Sequence, residues 1–139
     1  MIKVFESIWS DAINYERIKN GGATQWKTFT FVYMSLLLSL NIIGFLSLLR
    51  AISGLDSGGW VMVIITQFTH NEIFASFLWY LIIAILPSVL INYCMVFRNK
   101  RYEQILANHP FKQGKILLVY FLFSVLLFFG SSLLNKAIA

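Results

Sequence analysis

Charged side chains are scarce in this sequence, and their scarcity excludes most soluble folds. Only 12% of the 139 residues are Asp, Glu, Lys or Arg, whereas 58% are hydrophobic. Soluble domains usually carry about twice that share of charge, and a domain of this size could not bury so much apolar surface. The remaining apolar surface must face lipid. The chain is therefore predicted to be an integral membrane protein with a single domain over residues 1–139.

Cysteine and histidine are nearly absent, which excludes several kinds of site. Cys94 is the single thiol, so no internal disulfide is possible, and it is interpreted as a small buried hydrophobe. His70 and His109 are predicted to lie on opposite sides of the membrane, without a cluster of Cys or carboxylates, so no metal or cofactor is expected. Asp56, Ser57 and His70 share a Gly-rich loop that gives them no rigid geometry for hydrolysis. No catalytic residue is predicted, and the protein is expected not to be an enzyme.

Three long runs contain no Asp, Glu, Lys, Arg or His. They cover residues 28–49, 73–97 and 116–134, which are 22, 25 and 19 residues long. As helices they would measure about 33, 37 and 28 Å, against a hydrocarbon core of about 30 Å. Barrel strands, the other backbone form that crosses lipid, would be shorter and would alternate in polarity. The predicted fold is all-α, an integral membrane bundle of three transmembrane helices.

The basic residues are distributed unevenly between the two sides of these spans. Nine of the eleven precede the first span or lie between the second and third, namely Lys3, Arg17, Lys19, Lys27, Arg98, Lys100, Arg101, Lys112 and Lys115. The other two are Arg50 in the 50–72 loop and Lys136 after the third span. The positive-inside rule then predicts a cytoplasmic N-terminus and 98–115 loop, with the 50–72 loop and the C-terminus external.

Residues 2–20 have the pattern of an amphipathic helix. Apolar residues recur at steps of three and four, polar residues fill the opposite face, and Gly21 and Gly22 follow. Because it is joined to a span, this helix is predicted to be interfacial, lying flat on the cytoplasmic headgroups with Phe5 and Trp9 inserted. Docking into a groove on a partner is the alternative.

The loops between the spans contain further candidate surface segments. Residues 98–107 are predicted to extend the second helix, and the cluster of Arg98, Lys100 and Arg101 can contact anionic lipid at the membrane surface or act as a topology signal alone. No motif for nucleic-acid recognition accompanies these charges, so no such partner is expected. In the 50–72 loop, the apolar run 60–65 is too short to span the membrane. It is predicted to be interfacial or re-entrant.

Small and weakly polar side chains mark the faces on which membrane helices pack. The second span carries them at a four-residue period, the third has a comparable stripe, and the first has two such faces. The predicted packing residues are Ser35, Ser39, Asn41 and Gly44 in the first span, Ser76, Tyr80, Ala84, Pro87, Ser88 and Asn92 in the second, and Tyr120, Ser124, Ser131 and Ser132 in the third.

Pro87 lies inside the second span and is predicted to bend it. Its ring removes one backbone donor and leaves the Ile83 carbonyl without its usual partner. Asn41 of the first span lies at the same estimated depth, about 20 Å from the cytoplasmic end. We therefore consider a hydrogen bond from Asn41 to the Ile83 carbonyl, with a bond inside its own helix or to water as the alternative.

The sequence resembles a group of small bacterial membrane proteins. The likeness rests on the amphipathic start, on SLLLSLNII at residues 35–43 and on RYEQIL at residues 101–106. It implies a multi-pass protein of the bacterial inner membrane. It implies no particular function and no site.

Two functions fit these features. The first is a non-enzymatic protein that acts through protein–protein interaction, such as an accessory subunit or an immunity-type protein. Its contacts would be the lipid bilayer and either a protein partner or further copies of itself. The alternative is an oligomeric pore former, holin-like or a defence effector, in which the polar stripe over residues 76–92 lines the channel. Proton-coupled transport is not expected, because the spans contain no Asp, Glu, Lys, Arg or His.

Overall fold

A computed structural model of the chain describes residues 1–19, 25–56 and 58–138. All regular secondary structure in this part of the chain is helical. The α-helices are α1 (Ile2–Lys19), α2 (Trp26–Ser53), α3 (Gly59–Phe68), α4 (Glu72–Tyr80), α5 (Leu86–Asn92), α6 (Arg101–Asn108) and α7 (Lys115–Ile138). The predicted helix stop at Gly21 and Gly22, and Ser57 of the 50–72 loop, lie outside the described residues.

Three helical stretches are long and apolar enough to cross a membrane, which confirms the all-α membrane bundle. Among the described residues these are α2, the stretch Glu72–Asn108 and α7. The predicted run 28–49 lies inside α2, and the run 116–134 lies inside α7. The length of these runs and their lack of charged residues were sufficient to predict the spans. A helix can cross lipid because it forms its backbone hydrogen bonds within itself.

The second of these stretches changes its helical geometry just before Pro87. Residues Leu81–Ile85 form a π-helical turn, which ends with the Leu86 N–H donating to the Leu81 carbonyl. A proline ring clashes with the carbonyl four residues earlier in an α-helix, and a π turn holds one more residue. The Ser88 hydroxyl adds a hydrogen bond to the Ala84 carbonyl at 2.7 Å. The wider turn therefore accommodates Pro87 within a continuous helical stretch.

A break at residues 98–100 separates α6 from the second span. A second π turn, Tyr93–Phe97, precedes the break, and Asn99 and Lys100 both have a φ of 54°. Left-handed backbone costs about 1–2 kcal/mol for residues with a side chain, although Asn tolerates it best. The structure thus corrects the predicted continuous extension over 98–107, because α6 begins at Arg101 in a new direction. Cys94, in the preceding turn, is exposed and not buried as expected.

The 50–72 loop contains a helix that its sequence pattern did not indicate. Helix α3 buries Val61 and Ile65 against Ala75 of α4. Trp60 remains 65% exposed on the opposite side. The apolar run 60–65 is therefore a helical segment, with one face packed on its own chain.

The chain divides into two compact units. Unit 1 comprises Met1–Leu36 and Val89–Phe123, and unit 2 comprises Leu37–Ser88 and Ser124–Ala139. Unit 1 contains α1 and α6, and unit 2 contains α3 and α4. The long helices α2 and α7 contribute residues to both units.

The middle of α1 forms the core of unit 1. Six consecutive residues, from position 8 to position 13, are at most 9% exposed. Successive side chains turn by about 100° around a helix, so six in a row point in every direction. This part of α1 is enclosed by protein. It is not the surface-lying segment that its sequence pattern predicted.

Aromatic rings pack around this enclosed helix. Phe97 makes edge contacts with Trp9 and Phe31, at centroid distances of 5.7 and 5.3 Å, and lies 5.9 Å from Tyr102. Trp26 in turn contacts Tyr102 at 5.5 Å. Such pairs contribute about 0.5–1.5 kcal/mol beyond their buried area. Phe97 therefore connects α1, α2 and α6 within unit 1.

In unit 2, α2 and α7 approach closely at Gly44. A Cβ atom at this position would lie 2.9 Å from Leu127 Cγ and 3.2 Å from the Leu127 carbonyl oxygen. Backbones come this close only where one residue lacks a side chain. Gly130 of α7 offers a contrast, since a Cβ atom there would meet nothing within 4 Å.

We expect Gly44→Ala to destabilise the protein and Gly130→Ala to leave it unchanged or slightly more stable. Both substitutions gain the higher helix propensity of alanine, about 1 kcal/mol. Only Gly44→Ala forces α2 and α7 apart, at a cost of about 1–3 kcal/mol. Thermal unfolding of both variants in detergent measures the difference. Equal melting temperatures would contradict the close contact at Gly44.

Candidate functional site

The predicted packing residues of the first span have partners in both units. In unit 1, Ser35 is buried and its hydroxyl accepts a hydrogen bond from Asn92 Nδ2 at 3.1 Å. In unit 2, Asn41 Nδ2 donates to Ser124 Oγ of α7 at 2.9 Å. The structure therefore gives the Asn41 amide a partner on the third span, in place of the Ile83 carbonyl considered above. Ser39 is also buried.

The polar stripe of the second span is divided. Ala84, Ser88 and Asn92 are at most 1% exposed, whereas Tyr80 is 43% exposed and Ser76 is half-buried. Pro87 is half-buried beside them. The π turn begins directly after Tyr80 and includes Ala84, and its extra residue rotates the later residues of the stripe relative to Ser76 and Tyr80. The buried half packs inside the chain, and the other half lines a cavity described below.

On the third span, the buried stripe differs slightly from the predicted one. Ser124 and Ser131 are buried and Tyr120 is half-buried, whereas Ser132 is exposed. Asn135 completes the stripe, because its amide donates to the Ser47 carbonyl at 2.6 Å. The sequence reasoning missed Asn135 because it lies beyond the apolar run.

The residues predicted to contact the membrane surface have different environments. Trp9 is fully buried, so its ring cannot insert into headgroups, and half-buried Phe5 packs against it at 6.5 Å. Arg98 and Lys100 are exposed. Arg101 is partly exposed and forms an ion pair with Glu6 at 3.5 Å. Only Arg98 and Lys100 are therefore free to contact lipid in the way that was predicted.

A buried carboxylate, Asp11, holds α1 in unit 1. Asp11 Oδ1 accepts hydrogen bonds from the N–H groups of Lys112 and Gly114 at 2.9 and 3.1 Å, and Oδ2 accepts from that of Leu117 at 3.1 Å. The first N–H groups of a helix have no partner within it, and Leu117 lies in the first turn of α7. Asp11 therefore caps α7 from a distant helix. Its negative charge is also favourable at the positive end of the helix dipole.

The loop between α6 and α7 is shaped to present these donors. Pro110 follows the end of α6, and Gln113 and Gly114 both have positive φ angles, 57° and 76°. Successive N–H groups in such a turn point into one concavity that suits an anion. The Asp11 carboxylate occupies this concavity.

A second polar cluster joins α1 to the end of α6. His109 Nδ1 lies 3.0 Å from Ser7 Oγ, and Nε2 lies 3.1 Å from Glu6 Oε2. The Ser10 hydroxyl donates to the His109 carbonyl at 2.8 Å. A neutral imidazole protonated on Nε2 satisfies both side-chain contacts, since it donates to Glu6 and accepts from Ser7.

Ser7, His109 and Glu6 are the residue types of a hydrolytic triad, but the N–H groups that would stabilise an oxyanion are not available beside them. Ser7 lies in the interior of α1, where backbone N–H groups are bonded within the helix. Those groups cannot stabilise a developing oxyanion. We therefore interpret the cluster as a second anchor for α1. Among the described residues, no group of three or more His, Cys, Asp and Glu side chains could hold a metal ion.

Neither anchor was predicted from the sequence. Both anchors join α1 to residues about a hundred positions later in the chain. The donors that Asp11 binds are backbone N–H groups, and no pattern of residue types in the sequence indicates them. The one available signal was the position of Asp11, whose neighbours Ile8, Ala12 and Ile13 are apolar.

We expect Asp11→Ala to release α1, because three N–H groups lose their acceptor at a cost of about 3 kcal/mol or more. The readout is a thiol at fully buried position 12, introduced as Ala12→Cys in a Cys94→Ser background. Maleimide should label this thiol faster once Asp11 is replaced. Glu103→Ala is the control, since it removes the same charge from an exposed site on α6. Equal protection in both variants would contradict the anchoring role.

Unit 2 contains a cavity of about 460 Å³. Its walls come from one face of α2, one face of α7, the segment before α3 and the end of α4. Along α2 the lining passes from Ile43 and Leu46 to Ser47 and then Arg50. Along α7 it passes from Phe128 through Ser132 and Asn135 to Lys136. Both helices therefore present a gradient from apolar to polar to basic.

Trp79 of α4 also lines this cavity. Its Nε1 donates to the Gly58 carbonyl at 2.9 Å, and a Cβ atom on Gly58 would lie 2.7 Å from the indole ring. Asp56 also lines the cavity. Tyr80 completes the wall. A smaller cavity of about 220 Å³ shares Arg50, Asp56, Trp79 and Tyr80 with the first and continues to Ser76.

Comparison of the chain with protein-family models, curated proteins and solved structures finds no match. Function therefore has to be inferred from the contacts and charges of this chain.

Proposed function

We propose that this is a non-enzymatic, multi-pass protein of the bacterial cytoplasmic membrane that acts by binding another membrane protein or further copies of itself. The observation that carries this proposal is the interior position of Ser88 and Asn92. Both are buried and both donate hydrogen bonds within the chain, to the Ala84 carbonyl and to Ser35 Oγ.

These two hydrogen bonds remove the main support for a pore. A water-filled channel needs a polar lining, and the predicted lining was the stripe that contains Ser88 and Asn92. The helix surfaces that remain exposed carry large apolar side chains, such as Val119, Leu126 and Leu133 on α7, which are between 66% and 71% exposed. Such surfaces suit lipid and the helices of other membrane proteins.

The orientation follows from the charges. Nine of the eleven basic residues belong to the N-terminal segment or the 98–115 loop, and the positive-inside rule places both in the cytoplasm. Unit 1 would then expose a cytoplasmic surface on which α1 and α6 are held together by the Asp11 and His109 contacts. The resemblance to small bacterial membrane proteins supports the inner membrane as the location.

Reporter fusions test this orientation. At the N-terminus or at Lys100, a reporter that works only in the cytoplasm should be active, and one that works only outside it should be inactive. After the last residue, we expect the opposite result. An external N-terminus, or a cytoplasmic C-terminus, would contradict the proposed topology.

Expression in bacteria, followed with a membrane-potential dye and by photo-crosslinking, tests the interaction against the pore. We expect the potential to be unchanged. A photo-crosslinking residue at Leu126, which is 71% exposed, should give a discrete adduct, whereas the same residue at Ser131, which is 3% exposed, should give none. Collapse of the potential, or the absence of adducts from Val119, Leu126 and Leu133 alike, would refute the proposal.

A further inference from the structure

The two basic residues that depart from the charge asymmetry line the same cavity. Arg50 and Lys136 are the only two of the eleven basic residues outside the N-terminal segment and the 98–115 loop. They are 86 positions apart in sequence, and both line the 460 Å³ cavity of unit 2. In the proposed topology they lie on the external side, where the positive-inside rule disfavours Lys and Arg. Their convergence indicates a role in binding.

Neither cation is neutralised by the part of the chain that the structure describes. Among the described residues, Glu6 is the carboxylate that contacts basic side chains, those of Arg101 and His109, and no described carboxylate lies within ion-pairing distance of Arg50 or Lys136. Asp56 lines the cavity at a greater distance from both. Two cations and one carboxylate leave the cavity with one net positive charge. The ligand that complements it is an anion.

The gradient along α2 and α7 adds a second requirement. Ile43 and Phe128 lie seven and eight residues before Arg50 and Lys136, which is about 10–12 Å along a helix. One ligand in this cavity would therefore contact cations at one end and hydrocarbon at the other. Its volume is within the range of about 300–1,000 Å³ that is usual for ligand sites.

We infer that this cavity binds a phospholipid with a net negative charge. Its phosphate contacts Arg50 and Lys136, and the first part of an acyl chain lies against Ile43, Leu46 and Phe128. Trp79 forms the side wall, and Trp is enriched at this level of a bilayer, where apolar and polar surroundings meet. A Lys and an Arg together can hold a phosphate by charge-assisted hydrogen bonds.

Native mass spectrometry of the full-length protein, released from neutral detergent, measures the binding directly. The probes are phosphatidylglycerol, phosphatidylcholine and inorganic phosphate. We expect one tightly bound phosphatidylglycerol, with phosphatidylcholine binding about tenfold or more weakly, because its choline cation would lie beside Arg50 and Lys136 and repel them, and a charged contact is worth about one factor of ten. Inorganic phosphate should compete poorly because it lacks the acyl chain.

Paired variants separate this site from general attraction of lipid to positive charge. Arg50→Gln with Lys136→Gln should weaken phosphatidylglycerol binding by about tenfold or more. The matched control, Arg17→Gln with Lys19→Gln, removes the same charge from exposed positions of α1 and should leave the affinity unchanged. Asp56→Asn should strengthen binding, because it removes the one negative charge in the cavity. A folding defect cannot produce that gain.

Equal losses in the two paired variants, or equal binding of the two lipids, would overturn the inference. Effective competition by inorganic phosphate would overturn the lipid as ligand and leave a site for small anions. The binding is measured on purified protein, so it does not depend on which side of the membrane the cavity faces. A reversed topology in the reporter test would therefore contradict the proposed function and leave this test intact.

Discussion

The Asp11 carboxylate and its three backbone donors are the contact on which unit 1 depends. A buried carboxylate without partners costs several kcal/mol, so Asp11 is compatible with the core only while the loop before α7 supplies its N–H groups. The same groups are unsatisfied without Asp11, because they belong to a helix terminus and a turn. The carboxylate and the N–H groups therefore each need the other as a hydrogen-bond partner. The fully buried Trp9 and Ile13 are brought into the core by the same helix.

Unit 2 is held by a different kind of contact. Its long helices meet at Gly44, where the lack of a side chain allows close approach, and at the amides of Asn41 and Asn135. Between lipid-soluble helices, packing and hydrogen bonds take over the role that apolar burial has in water. The cavity arises where this close packing ends and the side chains become polar, near Ser47 and Asn135. The residues that hold α2 and α7 together therefore also determine how far the cavity extends along these two helices.

The three spans could be predicted from the sequence because their physical requirement is simple. A bilayer excludes charge over about 30 Å, and residues 28–49, 73–97 and 116–134 meet that demand without any help from the rest of the chain. The position of α1 could not be predicted, because an amphipathic pattern shows that one face is covered without showing by what. A constant helical period predicts that the stripe from Ser76 to Asn92 forms one face. The π turn before Pro87 shifts that period, and only the structure reveals it.

The sequence separation of the Asp11 contact has a consequence for biosynthesis. Asp11 and the Lys112 N–H that it binds are 101 residues apart, and a ribosome needs about 5–20 s to add that many. During this interval α1 has already been made, and its Asp11 carboxylate has no partner from the loop before α7. The contact closes only when the third span begins to emerge. The Asp11 contact therefore forms only after synthesis has reached the start of the third span, and a chain truncated before that point would leave α1 without this anchor.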